Sequence, residues 1–152
     1  MLYKKIMVAT DGSDLSNNAL QEAIQLATDQ KAHLRIVYVV DEGFVYHGGP
    51  GFDYSLILKA FKDEGQKILD KTAAMVSKQS SIKFDTTLIE LNPFQGRVGE
   101  VIVEKAKEWP ADLLVIGTHG RRGLSHLFLG SVAEQIIRTA TMPVLLIRGQ
   151  ST

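Results

Sequence analysis

The chain reads as a single doubly wound α/β domain, a five-stranded parallel sheet in the order 3-2-1-4-5 with helices on both faces. Three observations predict it. Apolar runs of strand length alternate with amphipathic segments of helical period in the order βαβαβαβαβ, which is the pattern of a parallel sheet covered by its crossover helices. The run "DLLVIG" at 112–117 is apolar almost without interruption, the mark of a strand buried on both faces. The 152 residues, 45% of them hydrophobic, suffice for one core and are too few for two ordinary domains.

The first strand is "KKIMVAT" (4–10), a short apolar run stopped by the turn cluster "DGSD". In "SNNALQEAIQLATDQKA" (16–32), Ala19, Leu20, Ala23, Ile24 and Ala27 recur at helical spacing, with Ser16 placed to cap. The β-branched run "HLRIVYVV" (33–40) is the second strand. No period fits "DEGFVYHGGPGFDY" (41–54), which reads as a long loop. A long amphipathic helix follows at about 55–77, with Leu58, Phe61, Gly65, Ile68, Leu69, Thr72 and Met75 or Val76 on one face. "IKFDTTLIEL" (82–91) alternates as the third strand, "NPFQGR" turns, and "VGEVIVEKAKEW" (98–109) is a helix closed by Pro110. After the fourth strand and a glycine-rich segment, "SVAEQIIRTA" (131–140) is a helix with Ser131 and Glu134 spaced as a capping box, and "MPVLLIR" (142–148) is the fifth strand.

Composition narrows the function classes. Seventeen basic and seventeen acidic residues cancel, so overall charge argues against a nucleic-acid partner and against an anionic membrane surface. No cysteine is present, which removes disulfides, thiolate metal sites and cysteine catalysis. The N-terminal apolar run is too short for a signal peptide, and no run approaches the roughly 18 residues of a membrane span. A soluble cytoplasmic protein is expected.

Chemistry concentrates in "GTHGRRGLSHLFLGS" (117–131), which holds four glycines, two adjacent arginines and two histidines. Each glycine costs about 0.5–1 kcal/mol inside an ordered element, and residues without Cβ allow backbone N–H groups to turn toward an anion. The helix that follows adds its positive N-terminal end. In an open parallel sheet, ligands bind beyond the carboxyl ends of the strands where the order reverses, here between strands 1 and 4. Asp11 then faces Gly117 across the crevice. A carboxylate repels phosphate but accepts from ribose hydroxyls, so the pair suggests a nucleotide. The P-loop pattern is absent, as is G-x-G-x-x-G after the first strand. A flavin site finds little support, with the one tryptophan far off at Trp109. A phosphorylated receiver would need an acid where Asn92 and Pro93 stand after the third strand.

Gly117, Gly120, Gly130 and Ser131 fill the spacing G-x2-G-x9-G-[ST], which resembles the nucleotide-binding signature of the universal stress protein family. The stretches "YKKIMVATDGSDLS", "LRIVYVVD", "ADLLVIGTHGRRG" and "LGSVAEQIIRTATMPVLLI" extend the resemblance over nearly the whole chain, and the glycine spacing is that of the ATP-binding subgroup. The resemblance implies that Asp11 contacts the ribose, with Ala9 and Thr10 beside the base and the Val39 backbone at the adenine edge. It also implies that Gly117, His119 and Gly120 open the phosphate loop and that Gly130, Ser131 and Val132 close it. Arg121 and Arg122 fall where the family varies, and at most one of them is expected at a phosphate, so Arg121 joins the candidate set. Two departures bear on the pocket rim. "LNPFQGRVGEVI" is longer than the family's usual glycine turn, and "HGGPGFDY" is unusually glycine-rich.

Plainer readings stand beside these. Ser131 can cap its helix, Asp11 can be an Asx-turn residue before Gly12, and the arginine pair can be solvated loop charge. His33, His47 and His126 show no metal-ligand spacing, so no structural metal is expected, although Mg²⁺ can accompany ATP through phosphate oxygens. Nothing near the motif positions a nucleophile for phosphoryl transfer, so slow or absent hydrolysis is expected, with no catalytic residue. The resident ligand is then ATP, or AMP or ADP, acting as a signal to an unidentified protein partner. A nucleotide-independent interaction module and a weak ATPase are the alternatives. The last strand carries no charge or proline between Val144 and Ile147, so its edge invites pairing with a second copy, as the resemblance also implies; a homodimer through 144–148 is expected.

Overall fold

A computed structural model describes residues 2–43, 53–119 and 129–149. Five strands and four helices alternate through them: β1 (Lys5–Ala9), α1 (Asp14–Gln30), β2 (His33–Asp41), α2 (Tyr54–Gln79), β3 (Phe84–Leu91), α3 (Val98–Glu108), β4 (Leu113–Gly117), α4 (Ser131–Thr139) and β5 (Val144–Ile147). The strands form one sheet in the order β3-β2-β1-β4-β5 with every pair parallel. The expected fold is therefore the observed one. The order in which strands are added reverses between β1 and β4, which pair in parallel with Ile6 to Val8 in register with Leu113 to Val115.

The two-residue period of the strands sorts their side chains into two cores. Ile6, Val8, Leu34, Ile36, Leu113 and Val115 pack with Leu20, Ile24, Leu69 and Val76 of α1 and α2. Met7, Val37, Leu114 and Ile116 pack on the other face with Ile102, Val103 and Ala106 of α3 and Ile136 of α4. Every residue from Leu113 to Ile116 is buried, as the unbroken apolar run requires. On α2 the predicted stripe is the one that packs: Gly65, Leu69, Thr72 and Val76 are buried, and Leu58, Phe61, Ile68 and Met75 lie against them.

Two helix starts differ from expectation. Helix α1 is capped by Ser13, whose side chain accepts from the amide of Ser16 at 3.2 Å, and not by Ser16. Ser16 is itself inside the first turn and buried, its hydroxyl returned to the Ser13 carbonyl at 2.9 Å. Helix α4 has Gly130 as its N-cap and no side-chain cap bond, so the Ser131–Glu134 capping box does not form. The Glu134 carboxylate instead takes the Arg138 guanidinium, one turn on, at 2.7 Å. A free cap glycine and a cation at the i+4 position each remove one half of the box.

The N-terminal ends of β1, β2 and β3 carry a polar cluster, at the end of the sheet opposite Gly117. Asp85 accepts from Arg35 Nε at 2.6 Å and Nη2 at 3.1 Å and lies 2.8 Å from His33 Nε2. Trp109 covers the cluster, with the Arg35 guanidinium 4.4 Å from its ring centre and the His33 ring edge-on at 5.2 Å. Burial alone would raise the Asp85 pKa, but the Arg35 fork and the neighbouring His33 outweigh it and hold the carboxyl below its ordinary value of 3.8.

Candidate functional site

At the opposite, C-terminal ends of the strands, a cavity of about 680 Å³ opens over β1, β2 and β4. Its floor is apolar. Ala9, Val39 and Ile116 come from the sheet, Val98 and Ile102 from α3, and Val132 and Ala133 from α4. Its polar wall consists of Thr10, Asp11 and Ser16 on one side and Thr118, His119 and Ser131 on the other, with Asp41, Gln135 and Arg97 at the margins. Tyr38 and Phe61 border it from the α1 and α2 side.

The β1–α1 turn is built from hydroxyls. The Thr10 amide continues the sheet by donating to the Val37 carbonyl at 2.9 Å, which fixes where the chain leaves β1. The Ser16 hydroxyl hydrogen goes to Ser13, so Thr10 Oγ1, 3.1 Å from Ser16 Oγ, is the donor of that pair. The Asp11 amide donates to the same Ser16 oxygen at 3.4 Å. Asp11 Oδ1 accepts from the Ser13 amide at 2.9 Å, an Asx turn that holds the half-buried carboxylate on the cavity wall. Asp11 is thus an Asx-turn residue that also lines the cavity.

The β4 side is closed by backbone. The Thr118 amide donates to the Ile147 carbonyl at 3.0 Å, and the Thr118 carbonyl accepts from the Gly130 amide at 2.7 Å. A Cβ on Gly130 would lie 2.9 Å from that carbonyl oxygen and 3.2 Å from the Cα of His119. The φ of Gly130 is −66°, open to any residue, so close approach rather than torsion calls for glycine here. Residues 130 to 133 then present the uncapped start of α4 to the cavity. Thr118 Oγ1 and His119 Nδ1 lie 3.1 Å apart, which ties the imidazole to the wall beside its own main chain.

The structure thus gathers Ala9, Thr10, Asp11, Val39, Gly117, His119, Gly130, Ser131 and Val132 around one cavity. The remaining candidates, Gly120 and Arg121, lie outside the described residues, as do Arg122, His47 and His126. Sequence reasoning passed over Tyr38, Phe61, Arg97, Ile102 and Gln135, all of which line the cavity. For Gln135 a signal existed: it stands one turn after Ser131 on the α4 face toward α3, where its Oε1 accepts from the Gly99 amide at 2.8 Å. A cavity of this size, with an apolar floor, a few convergent polar groups and a backbone cradle that a Cβ would fill, fits a nucleotide.

Comparison with known proteins bears on the fold and the family. The chain matches the profile of the Universal stress protein family over residues 2–148. The universal stress protein MJ0531 of Methanocaldococcus jannaschii is 40% identical over 148 residues, covering 97% of this chain and 83% of that protein. Among solved structures, a universal stress family protein from Burkholderia pseudomallei superposes with a TM-score of 0.79 at 36% identity, covering 97% of this chain and 98% of that one. A universal stress protein in complex with cAMP gives a TM-score of 0.69 at 26% identity, with 97% and 98% covered. One from Archaeoglobus fulgidus in complex with dAMP gives 0.65 at 25%, with 97% and 100% covered. Sheet order, the cavity at the switch point, and a match along almost the whole length agree, and the chain belongs to the universal stress protein family.

Proposed function

We propose that this protein binds an adenine nucleotide in the cavity above β1 and β4 and works as a nucleotide-responsive stress-response dimer in the cytoplasm. The observation that carries the reading is the convergence of the Asp11 carboxylate and the Gly130 cradle on one cavity, from turns more than a hundred residues apart. The binding of cAMP and dAMP by two relatives of the same fold supports the adenine assignment. The apolar floor of Ala9, Val39, Ile116 and Val132 takes the base, and Asp11 takes the ribose hydroxyls. Gly117, His119, Gly120, Gly130 and Ser131, with Arg121, take the phosphates. ATP is the expected ligand, with AMP and ADP as competitors, and Mg²⁺ enters on the phosphate oxygens. The protein's role toward ATP is binding with slow or no hydrolysis, so that nucleotide state signals to a protein partner. Strand β5 pairs with its copy to make the homodimer. No helix among the described residues is long and apolar enough to cross a membrane, and no nucleic acid is assigned.

Thermal melting of nucleotide-free protein with Mg·ATP, and with AMP and GTP in parallel, tests the reading. Ligand at about 100 times its Kd adds about 2.7 kcal/mol, which raises the midpoint of a chain this size by about 5–10 °C. A saturable rise selective for adenine supports nucleotide binding. No shift at millimolar concentration favours the nucleotide-independent interaction module. Steady phosphate release that disappears in Gly130→Val would make the protein an ATPase.

A further inference from the structure

Arg97 occupies the N-cap position of α3, with φ −113° and ψ 157°. Serine, threonine, aspartate and asparagine lead at that position because a side-chain oxygen accepts a first-turn amide. Arginine has no acceptor, and α3 carries no side-chain cap bond. The Gly99 amide of that first turn is met from the neighbouring helix, by Gln135. The ion pair that Arg97 makes with Glu100 spans 3.8 Å between side chains 72% and 49% exposed. Such a pair adds almost nothing to stability. Local structure therefore gives no reason for arginine at this position, and residues that break a local rule concentrate at functional sites.

Position supplies the reason. Arg97 lines the cavity, and among its described lining residues Asp11 and Asp41 are the carboxylates and Arg97 the one arginine or lysine. Helix α3 lies so close to α4 that a Cβ on Gly99 would come within 2.7 Å of the Val132 carbonyl. Arg97 precedes Gly99 by two residues and Gly130 precedes Val132 by two. The guanidinium thus springs from the same level as the Gly130–Ser131 cradle, one helix away, at an axis separation of about 8–10 Å. A phosphate at the cradle is within reach of an arginine side chain, whose planar fork matches two phosphate oxygens.

We propose that Arg97 is a phosphate-binding residue of this cavity and sets a preference for phosphorylated adenine nucleosides over adenosine. The proposal deepens the nucleotide reading and rests on it. The fold gives up a helix cap at this residue to place a cation beside an anion site.

The test is calorimetric titration of wild type, Arg97→Gln and Arg97→Ser with Mg·ATP, AMP and adenosine, alongside thermal melts of the ligand-free proteins. Both variants should weaken ATP and AMP by about tenfold, as loss of a charge-assisted hydrogen bond requires. Adenosine affinity should stay within about twofold, and the salt dependence of AMP binding should flatten. Arg97→Ser should also melt about 2–4 °C higher than wild type without ligand, because serine restores the cap. Stability and affinity then move in opposite directions, which a damaged fold cannot produce. If wild type binds nucleotide and the Arg97→Gln variant binds AMP equally well, the Arg97 assignment falls and the nucleotide reading stands. A parallel loss of adenosine and AMP also overturns it, since the residue then acts on the whole pocket. Wild type that binds none of the three ligands overturns both.

Discussion

The amide of Gly130 donates to the carbonyl of Thr118 across 2.7 Å, which seats the start of α4 against the end of β4. Gly130→Val would push a side chain against that carbonyl, 2.9 Å from the new Cβ, and the obstacle is main chain, which cannot swing aside. We expect a loss of about 1–3 kcal/mol in denaturant unfolding, typical of overpacking, together with abolition of Mg·ATP binding and an intact dimer. Unchanged ATP affinity would remove the phosphate cradle from this position.

Ser131 is exposed and makes no cap bond. Ser131→Ala should leave stability within about 0.5 kcal/mol of wild type, while losing one hydroxyl contact to the nucleotide, worth about three- to tenfold in Kd. A melting curve and one titration decide it: a stable variant with undiminished affinity removes Ser131 from the site, and a large drop in stability means that the hydroxyl holds the helix after all.

For Asp11 the turn and the ligand can be separated chemically. Asparagine retains the Oδ1 that accepts from the Ser13 amide, so Asp11→Asn should fold with near wild-type stability, whereas Asp11→Ala should lose about 1 kcal/mol. Both should bind adenosine and ATP about tenfold more weakly, because the charge-assisted acceptor for the ribose is gone. Full-strength binding by Asp11→Asn would confine the residue to the turn.

Acid should act through the other end of the sheet. The Asp85 carboxyl is held below its ordinary 3.8 by Arg35 and His33 against the opposing effect of burial. A folded-state pKa lower than the unfolded one gives stability that is fully present above the unfolded value. That stability is lost as pH falls through the folded value. Stability of wild type should therefore decline as pH drops below about 4, and Asp85→Asn should flatten that decline while being less stable at neutral pH. Equal slopes in wild type and variant across pH 5 to 2 would show that the cluster does not contribute.

Strand β5 ends the sheet order, and each residue from Val144 to Ile147 is only partly buried. Leu145→Lys adds a charge to that edge, which should halve the mass seen by light scattering if dimers pair along β5. Ile137→Lys, at a residue of α4 that is 48% exposed, serves as the control and should leave the mass unchanged. A dimer that survives Leu145→Lys is built elsewhere.

Much of the molecule was legible in the sequence. The unbroken run at Leu113–Ile116 marked a strand covered twice, and the period of α2 named the residues that pack. Glycines at 117 and 130 and an acid at 11 marked the two turns that the parallel order brings together. What stayed hidden were choices between near-equivalent neighbours. Ser13 and Ser16 are both capping residues one turn apart, and the chain uses the first as the cap and the second as a buried hydroxyl bridge to Thr10. Ser131 and Glu134 have capping-box spacing, yet Gly130 begins the helix and Arg138 takes the glutamate.

The sequence by itself determined the element order, the sheet and the two turns, because these follow from periodicity and from the backbone freedom of single residues, which are local. Only the tertiary structure decided that Arg97 and Gln135 stand on the same cavity as Asp11. Their place depends on α3 seating against α4 at Gly99, a contact between segments 36 residues apart. A residue's own neighbours in the chain record which face it buries; which other face meets it is settled by packing alone.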